Sequence, residues 1–531
     1  MATTDFSTVI LPLAPEGAFR NQLFLDFSNA GNVHAMREAL DRVSDMLGRE
    51  YELIIGGERK RTEGKIQSIN PANPAQVVGI HQKAQPEDAE IAVAAAVKAF
   101  ETWRFASAEA RSSLLLHAAR IIRRRRYEFC SWLCYEVGKN WVEADADVNE
   151  TIDFLEFYAR EALHLAKIGP PIQYPGERDE LIYIPLGVCA VIPPWNFPFA
   201  IMAGMTSAAI VSGNTVILKP SSESPTIAAL FMQVLEEAGM PPGVVNFCPG
   251  SGAGFGNAIV EHPQTRLIAF TGSKDVGLEI HQRAARVQPG QRWIKRTILE
   301  MGGKDAIIVS NDCDLDAAVE GVVASSFGFS GQKCSACSRA IVEEPVYEAF
   351  LERLRDRVES LTVGDPVKNP DLGPVVSRSA LETILGLIET GKREGRLLTG
   401  GEAISSPEGG YYLQPTVFAD VSPDARIAQE EIFGPVLAVL RATDFDHALQ
   451  IANNTQYGLT GAVYSRDREK LQHARQVFHV GNLYFNRKCT GAMVGAHPFG
   501  GFNLSGTDSK AGGPDYLYLF TQAKSIAEKL L

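Results

Sequence analysis

The sequence predicts an α/β protein with a doubly wound, mostly parallel sheet followed by a second α/β domain. Two observations predict it. From residue 187 short apolar runs alternate with amphipathic stretches of helical length, and the same alternation resumes after Glu300 and continues to about residue 490. Strands separated by helices pair in parallel through right-handed crossovers, which puts the ligand crevice at the carboxyl ends of the strands.

In chain order, a helix is expected around Val33 to Leu47, then a short strand, Leu53-Ile54-Ile55, entering a Gly56-Gly57 turn. Pro86, Glu87 and Asp88 start a helix whose Val93, Val97 and Phe100 share one face. Arg123 to Arg126 point to every side of a helix, so they read as a solvated end or a domain contact rather than a nucleic-acid stripe. Val188 to Ile192 is a strand, Ile201 to Val211 a buried helix, and Thr215 to Leu218 a strand ending at Lys219. Ser224 is expected to cap a helix with Pro225 at its first position, buried through Ile227, Leu230, Phe231, Val234 and Leu235. Val244 to Phe247 and Leu267 to Phe270 make further strands. Gly250-Ser251-Gly252-Ala253-Gly254-Phe255-Gly256 fits G-x-G-x-x-G in no register, so this fingerprint alone does not predict nucleotide binding. After Glu300-Met301-Gly302-Gly303-Lys304, Ala306 to Val309 opens the second domain. The strip Tyr516 to Phe520 is expected to pack on its own protein, with a subunit contact as the alternative.

Composition excludes several classes. The 531 residues, 45% hydrophobic and 21% charged, describe a folded multidomain chain. A net charge of −12 gives no electrostatic reason to bind nucleic acid. Eight cysteines and ten histidines form no paired metal-ligand clusters; Cys334-Ser335-Ala336-Cys337 lacks the second half of a zinc site, so no metal is expected. The N-terminus lacks a basic region and its apolar Val9-Ile10-Leu11 ends at Pro12, while Phe197 to Val211 is too short to span a bilayer. A cytoplasmic protein without membrane contact is expected.

Five segments carry a resemblance: Pro194-Trp195-Asn196-Phe197-Pro198, Phe270-Thr271-Gly272-Ser273 with Gly277, Leu299 to Lys304, Gly331-Gln332-Lys333-Cys334, and Glu430-Glu431-Ile432-Phe433-Gly434-Pro435. In this order they resemble the aldehyde dehydrogenases, over residue 50 to the end. The resemblance implies Cys334 as nucleophile, Asn196 and the Cys334 N–H as oxyanion donors, and Glu300 as the base for thioester hydrolysis. Such a cysteine needs a lowered pKa to attack as thiolate. The resemblance also implies NAD held by Ile192, Trp195, Lys219, Ser222, Gly250, Phe270, Gly272, Ser273, Glu431 and Phe433. Many NAD-preferring members carry Glu three residues after the lysine; this chain has Ser222 there and Glu223 next, so NADP is expected to be accepted alongside NAD.

Tyr135 to Trp141, Gly331 to Arg339 and Gly481 to Lys488, continuing through Thr490-Gly491-Ala492 to Gly501, narrow the resemblance to the Δ1-pyrroline-5-carboxylate dehydrogenase family of stand-alone bacterial type. It implies oxidation of L-glutamate γ-semialdehyde to L-glutamate, the second step of proline degradation. It also implies a substrate pocket of Glu136, Phe197, Ser335, Gly491, Ala492 and Phe499, with Ser335 and the N–H groups of Gly491 and Ala492 on the α-carboxylate. Cys337 reads as packing, with redox pairing to Cys334 as the alternative. The rivals are a dehydrogenase for another small acidic or aromatic aldehyde and a catalytically silent scaffold.

The implied architecture is the aldehyde dehydrogenase fold: an N-terminal helical extension (1–49), a Rossmann-like dinucleotide-binding domain (50–155 and 177–300), a catalytic domain (301–507) and a small oligomerisation flap (156–176 and 508–531). A homo-oligomer built on dimers follows. The first 50 residues are too few for a barrel, so a proline dehydrogenase would be a separate polypeptide.

Overall fold

The computed structural model describes residues 13–530 except Glu16 and Pro171; the apolar Val9 to Pro12 segment lies outside them. Two seven-stranded sheets dominate. In the first, spatial order is Arg296–Glu300, Thr265–Thr271, Val188–Ile192, Thr215–Leu218, Val245–Phe247, Leu53–Ile55, Glu58–Lys60. The first five pair in parallel, and the last two are joined on through antiparallel pairings. The chain builds outward from Val188–Ile192 through Thr215–Leu218 to Val245–Phe247, then returns to its other side at Thr265–Thr271. That reversal opens a crevice at the carboxyl ends of Val188–Ile192 and Thr265–Thr271.

The second sheet runs Arg396–Thr399, Thr416–Ala419, Val436–Ala442, Cys337–Glu343, Asp305–Val309, Thr460–Tyr464, Asn482–Phe485, and only its first strand is antiparallel. Its inner strands are buried on both faces, as their continuous apolar runs require. Only Met301 to Lys304 separate the last strand of the first sheet from the first described strand of the second. A smaller sheet pairs Asn73–Gln82 with Arg49–Tyr51 and Lys65–Asn70.

The four arginines serve four directions. Arg123 pairs with Glu156, Arg124 with Glu237, Arg125 with Glu128 and Arg126 with Asp145, fastening the junction of the helices Ala108–Arg124 and Arg126–Val137 to Trp141–Leu165 and Pro225–Glu237. The expected helix of residues 201–211 is Ala200–Val211, buried almost throughout. No helix among the described residues is long and apolar enough to cross a membrane.

Two expectations are corrected. Ser224 does not cap the helix Pro225–Glu237; its hydroxyl has no partner, and the carboxylate of Glu136 accepts from the N–H groups of Thr226 (2.6 Å) and Ile227 (2.8 Å) instead. A buried carboxylate supplies both charge and two acceptors to a helix start, which a hydroxyl cannot match. The boundary at residue 155/156 falls inside the continuous helix Trp141–Leu165, so residues 156–165 belong to the core. The separate flap-like unit is the antiparallel ribbon of Glu177–Pro185 with Thr521–Lys529. Tyr516, Leu517 and Phe520 pack into the chain's own core, as expected of that strip.

Candidate active site

The loop that carries Cys334 is built from unusual backbone. Phe329, Ser330 and Gly331 all adopt positive φ (51°, 54° and 69°). A Cβ on Gly331 would lie 2.2 Å from the carbonyl oxygen of Gly434, so glycine is needed there for space as well as for φ. The Ser330 hydroxyl donates to Gly373 O at 2.7 Å, and Gln332 Oε1 accepts from Val376 N at 2.8 Å. Lys333 Nζ reaches Glu143 at 2.7 Å. Three of the four residues immediately before Cys334 are thereby tied down through their side chains, as the approach to a nucleophile must be if it is to meet its target in one geometry.

Cys334 stands at the amino end of the strand Cys337–Glu343, while Glu300 ends the strand Arg296–Glu300. The short connection between the sheets brings both to one cavity of about 400 Å³. Phe197, Ser335, Gly491, Ala492 and Phe499 line the same cavity. The amide Nδ2 of buried Asn196 donates to Gln332 O at 3.1 Å, leaving its second N–H for another acceptor beside the loop. Gly491 has φ 76°, a value that favours glycine and lets the main chain present its N–H groups.

Electrostatics differ from expectation at the sulfur. Burial pushes the Cys334 thiol well above its ordinary range, and the carboxylates of Asp305, Glu431 and Glu300 push the same way. Only the Ser335 N–H, donating to the sulfur, opposes them. The resting group is a neutral thiol, because low dielectric and three acidic neighbours outweigh one donor. Glu300 is likewise shifted: burial raises its carboxyl to about 8, against the Ser509 hydroxyl bonded to Oε1 and the charge of Lys510. Its Oε2 has no partner among the described residues. A carboxyl near 8 is poised to exchange a proton at neutral pH.

Several cofactor candidates stand at the carboxyl ends of the first sheet's parallel strands. Ile192 and Phe270 are register partners on adjacent strands. Lys219 Nζ donates to Pro220 O (3.2 Å) and Gly250 O (3.3 Å), keeping one of its three donors spare. Burial lowers Lys219 to about 8. Gly272 lies on the Phe270 ring, where a Cβ would come within 2.5 Å, and Ser273 precedes the helix Lys274–Ala285. Trp195 and Phe433 meet edge to face at 5.5 Å. Glu431 Oε1 accepts from Gly303 N at 3.1 Å, which leaves Oε2 free for a donor; its carboxyl is raised to about 7 by burial. Ser222 is exposed before the helix Pro225–Glu237, and Glu223 beside it is raised by burial. A lysine with a spare donor and a carboxylate with a spare acceptor suit the hydroxyls of two riboses.

Glu136 is not in the cavity: its carboxylate is spent on Ser68 Oγ (2.8 Å) and the helix cap. Cys337 is free and buried in the second domain's core, its thiol on Arg339 O at 3.4 Å. Among the described residues no group of three or more His, Cys, Asp or Glu could hold a metal. The sequence reading missed Glu143, Asn149, Glu150, Asp153 and Lys488, which line the cavity. The signal was present as polar residues recurring at helical spacing on one face of Trp141–Leu165.

Comparison with known proteins agrees with this geometry. The model of the aldehyde dehydrogenase family matches residues 59–526. Among curated proteins, the 1-pyrroline-5-carboxylate dehydrogenase of Geobacillus thermodenitrificans is 60% identical over 512 residues, 96% of this chain and 99% of that protein. The protein of the same name from Geobacillus kaustophilus is 58% identical over the same shares. Among solved structures, 1-pyrroline-5-carboxylate dehydrogenase from Thermus with bound NAD has a TM-score of 0.95 at 53% identity, covering 97% of this chain and all (100%) of that one. Proline utilization A from Bdellovibrio bacteriovorus matches at TM-score 0.95 and 46% identity, over 98% of this chain but 54% of its own.

Proposed function

Because the chain belongs to the aldehyde dehydrogenase family, we infer that it oxidises L-glutamate γ-semialdehyde, the open form of Δ1-pyrroline-5-carboxylate, to L-glutamate with NAD. The observation that carries this reading is one cavity holding a tethered cysteine, a perturbed carboxyl and, at Ser335, Gly491 and Ala492, donors for a carboxylate.

The Cys334 thiol gives up its proton to water, the thiolate Sγ attacks the aldehyde carbon, and the carbonyl oxygen becomes an alkoxide in a tetrahedral thiohemiacetal. The spare N–H of Asn196 and the Cys334 N–H donate to that oxygen as its charge develops. When bound, NAD supplies a hydride acceptor and a positive charge. Loss of hydride from the former aldehyde carbon leaves a thioester on Cys334. Glu300 then takes a proton from water, the hydroxide adds to the thioester carbon, and the adduct collapses to L-glutamate, expelling the Cys334 thiolate, which takes the proton back from Glu300. Lys219 and Glu431 would hold the two riboses, with Ile192, Trp195, Gly250, Phe270, Gly272, Ser273 and Phe433 shaping the crevice.

We extend the reading to NADP as a second acceptor, because no carboxylate stands at Ser222. A dimer-based homo-oligomer is supported by Ile172, Tyr174 and Ile182, exposed large hydrophobics in and beside the ribbon. A cytoplasmic site of action and supply of substrate by a proline dehydrogenase complete the proposal.

Steady-state assay with Δ1-pyrroline-5-carboxylate and each cofactor tests it. The amino aldehyde should be preferred over aliphatic and aromatic aldehydes; preference for one of those would replace the substrate.

A further inference from the structure

The helix Trp141–Leu165 turns one face to the cavity, and that face carries three carboxylates, Glu143, Glu150 and Asp153. Two are already answered. Glu143 is paired with Lys333 at 2.7 Å, and Asp153 accepts from Asn21 Nδ2 (2.9 Å) and Gln22 N (2.7 Å). Glu150 makes no hydrogen bond or ion pair among the described residues. Its neighbour Asn149, also on the cavity, donates Nδ2 to Asp145 Oδ2 at 3.1 Å. Asp145 is ion-paired with Arg126 at 2.7 Å and can only accept, which fixes the orientation of the amide. Asn149 Oδ1 is thereby left buried without a partner. This turn of the helix offers the cavity two acceptors that no donor among the described residues satisfies, an arrangement that is costly unless a ligand brings the donors.

We propose that Glu150, assisted by Asn149 Oδ1, receives the α-ammonium of the substrate and makes the enzyme selective for amino aldehydes. The inference rests on the substrate reading above. An ammonium has three N–H donors and a full positive charge, the complement of a carboxylate and an amide oxygen. The same cavity carries Lys333 and Lys488, which suit a carboxylate and repel an ammonium. A zwitterionic substrate needs a counter-charge of each sign, and Glu150 is the carboxylate of this face left without one. Burial and the carboxylates of Asp147 and Asp153 hold its carboxyl up, to about 8, in the empty cavity, while Lys139 and Lys333 draw it down. A bound ammonium would draw it down further.

The test compares L-glutamate γ-semialdehyde with glutarate semialdehyde, which has the same chain but no amino group, in the unaltered enzyme and in Glu150→Gln. For the amino aldehyde kcat/KM should fall about ten- to a hundredfold, mostly through KM, as for a lost charge-assisted hydrogen bond. For glutarate semialdehyde the change should stay within about twofold, and Glu150→Asp should recover part of the loss. Equal losses on both substrates, or none on either, overturn the proposal. An unaltered enzyme inactive on the amino aldehyde but active on glutarate semialdehyde overturns the substrate reading itself, and the proposal with it. Should Glu150→Gln not fold, inhibition of the unaltered enzyme decides: L-glutamate should bind at least about tenfold tighter than glutarate, and equal inhibition overturns the assignment.

Discussion

The side-chain amide of Asn196, on the turn after the strand Val188–Ile192, donates to the carbonyl of Gln332, two residues before Cys334, at 3.1 Å. This bond ties the turn that carries Asn196 to the loop that carries Cys334, so the proposed oxyanion donor and the proposed attacking atom are positioned by one contact across the sheet boundary.

Asn196→Ala should therefore lower kcat by about a hundred- to a thousandfold, the usual cost of one oxyanion donor, with a smaller change in KM. Steady-state kinetics with the semialdehyde checks it; a loss confined to KM would remove Asn196 from the transition state.

The resting thiol is held neutral by burial and by Asp305, Glu431 and Glu300. Alkylation of Cys334 by iodoacetamide at pH 7 should be slow in the free enzyme and faster after NAD is added, because a positive charge nearby favours the thiolate. Peptide mapping after timed quenching reads the rate at this cysteine, and fast alkylation without cofactor would contradict the raised thiol.

For Glu300 the sign follows from its raised carboxyl. The base works only when ionised, so hydrolysis of the thioester should rise with pH up to about 8. The Ser509 hydroxyl stabilises the carboxylate, hence Ser509→Ala should move that limb to higher pH. Glu300→Gln should still give a burst of reduced cofactor while turnover falls about a hundredfold or more. Stopped-flow absorbance separates the two phases; loss of the burst would place Glu300 before hydrolysis.

Ser335→Ala should raise KM for the semialdehyde about tenfold while leaving a simple aliphatic aldehyde little changed. Equal effects on both would count against Ser335 as a carboxylate donor.

Gly331→Ala should destabilise the loop by about 1–3 kcal/mol or more and abolish turnover, since φ 69° and the Gly434 carbonyl both exclude a Cβ. Thermal denaturation and activity measured together check it.

Much of this was legible before the fold was known. The strand and helix alternation after residue 187 is written in apolar runs too regular to mistake, and the switch point of the first sheet follows from it. Cys334, Glu300 and Asn196 stand out through motifs, and the structure brings Cys334 and Glu300 to one cavity. Glu136 was not where the resemblance implied, because a carboxylate inside a motif looks the same whether it meets substrate or caps a helix 90 residues away. The polar face of Trp141–Leu165 was overlooked because Glu143, Asn149 and Glu150 acquire meaning only when residues 333–335 and 488–494 close the cavity over them. The sulfur's raised pKa was equally hidden, as it depends on three acids brought together from residues 300, 305 and 431.

Mass spectrometry of the enzyme quenched during turnover of the semialdehyde with NAD examines the chemistry most directly. The account predicts a glutamyl thioester on Cys334, accumulating further in Glu300→Gln and absent from Cys334→Ala, which should be folded and inactive. An unmodified Cys334 together with surviving turnover in Cys334→Ala would contradict it.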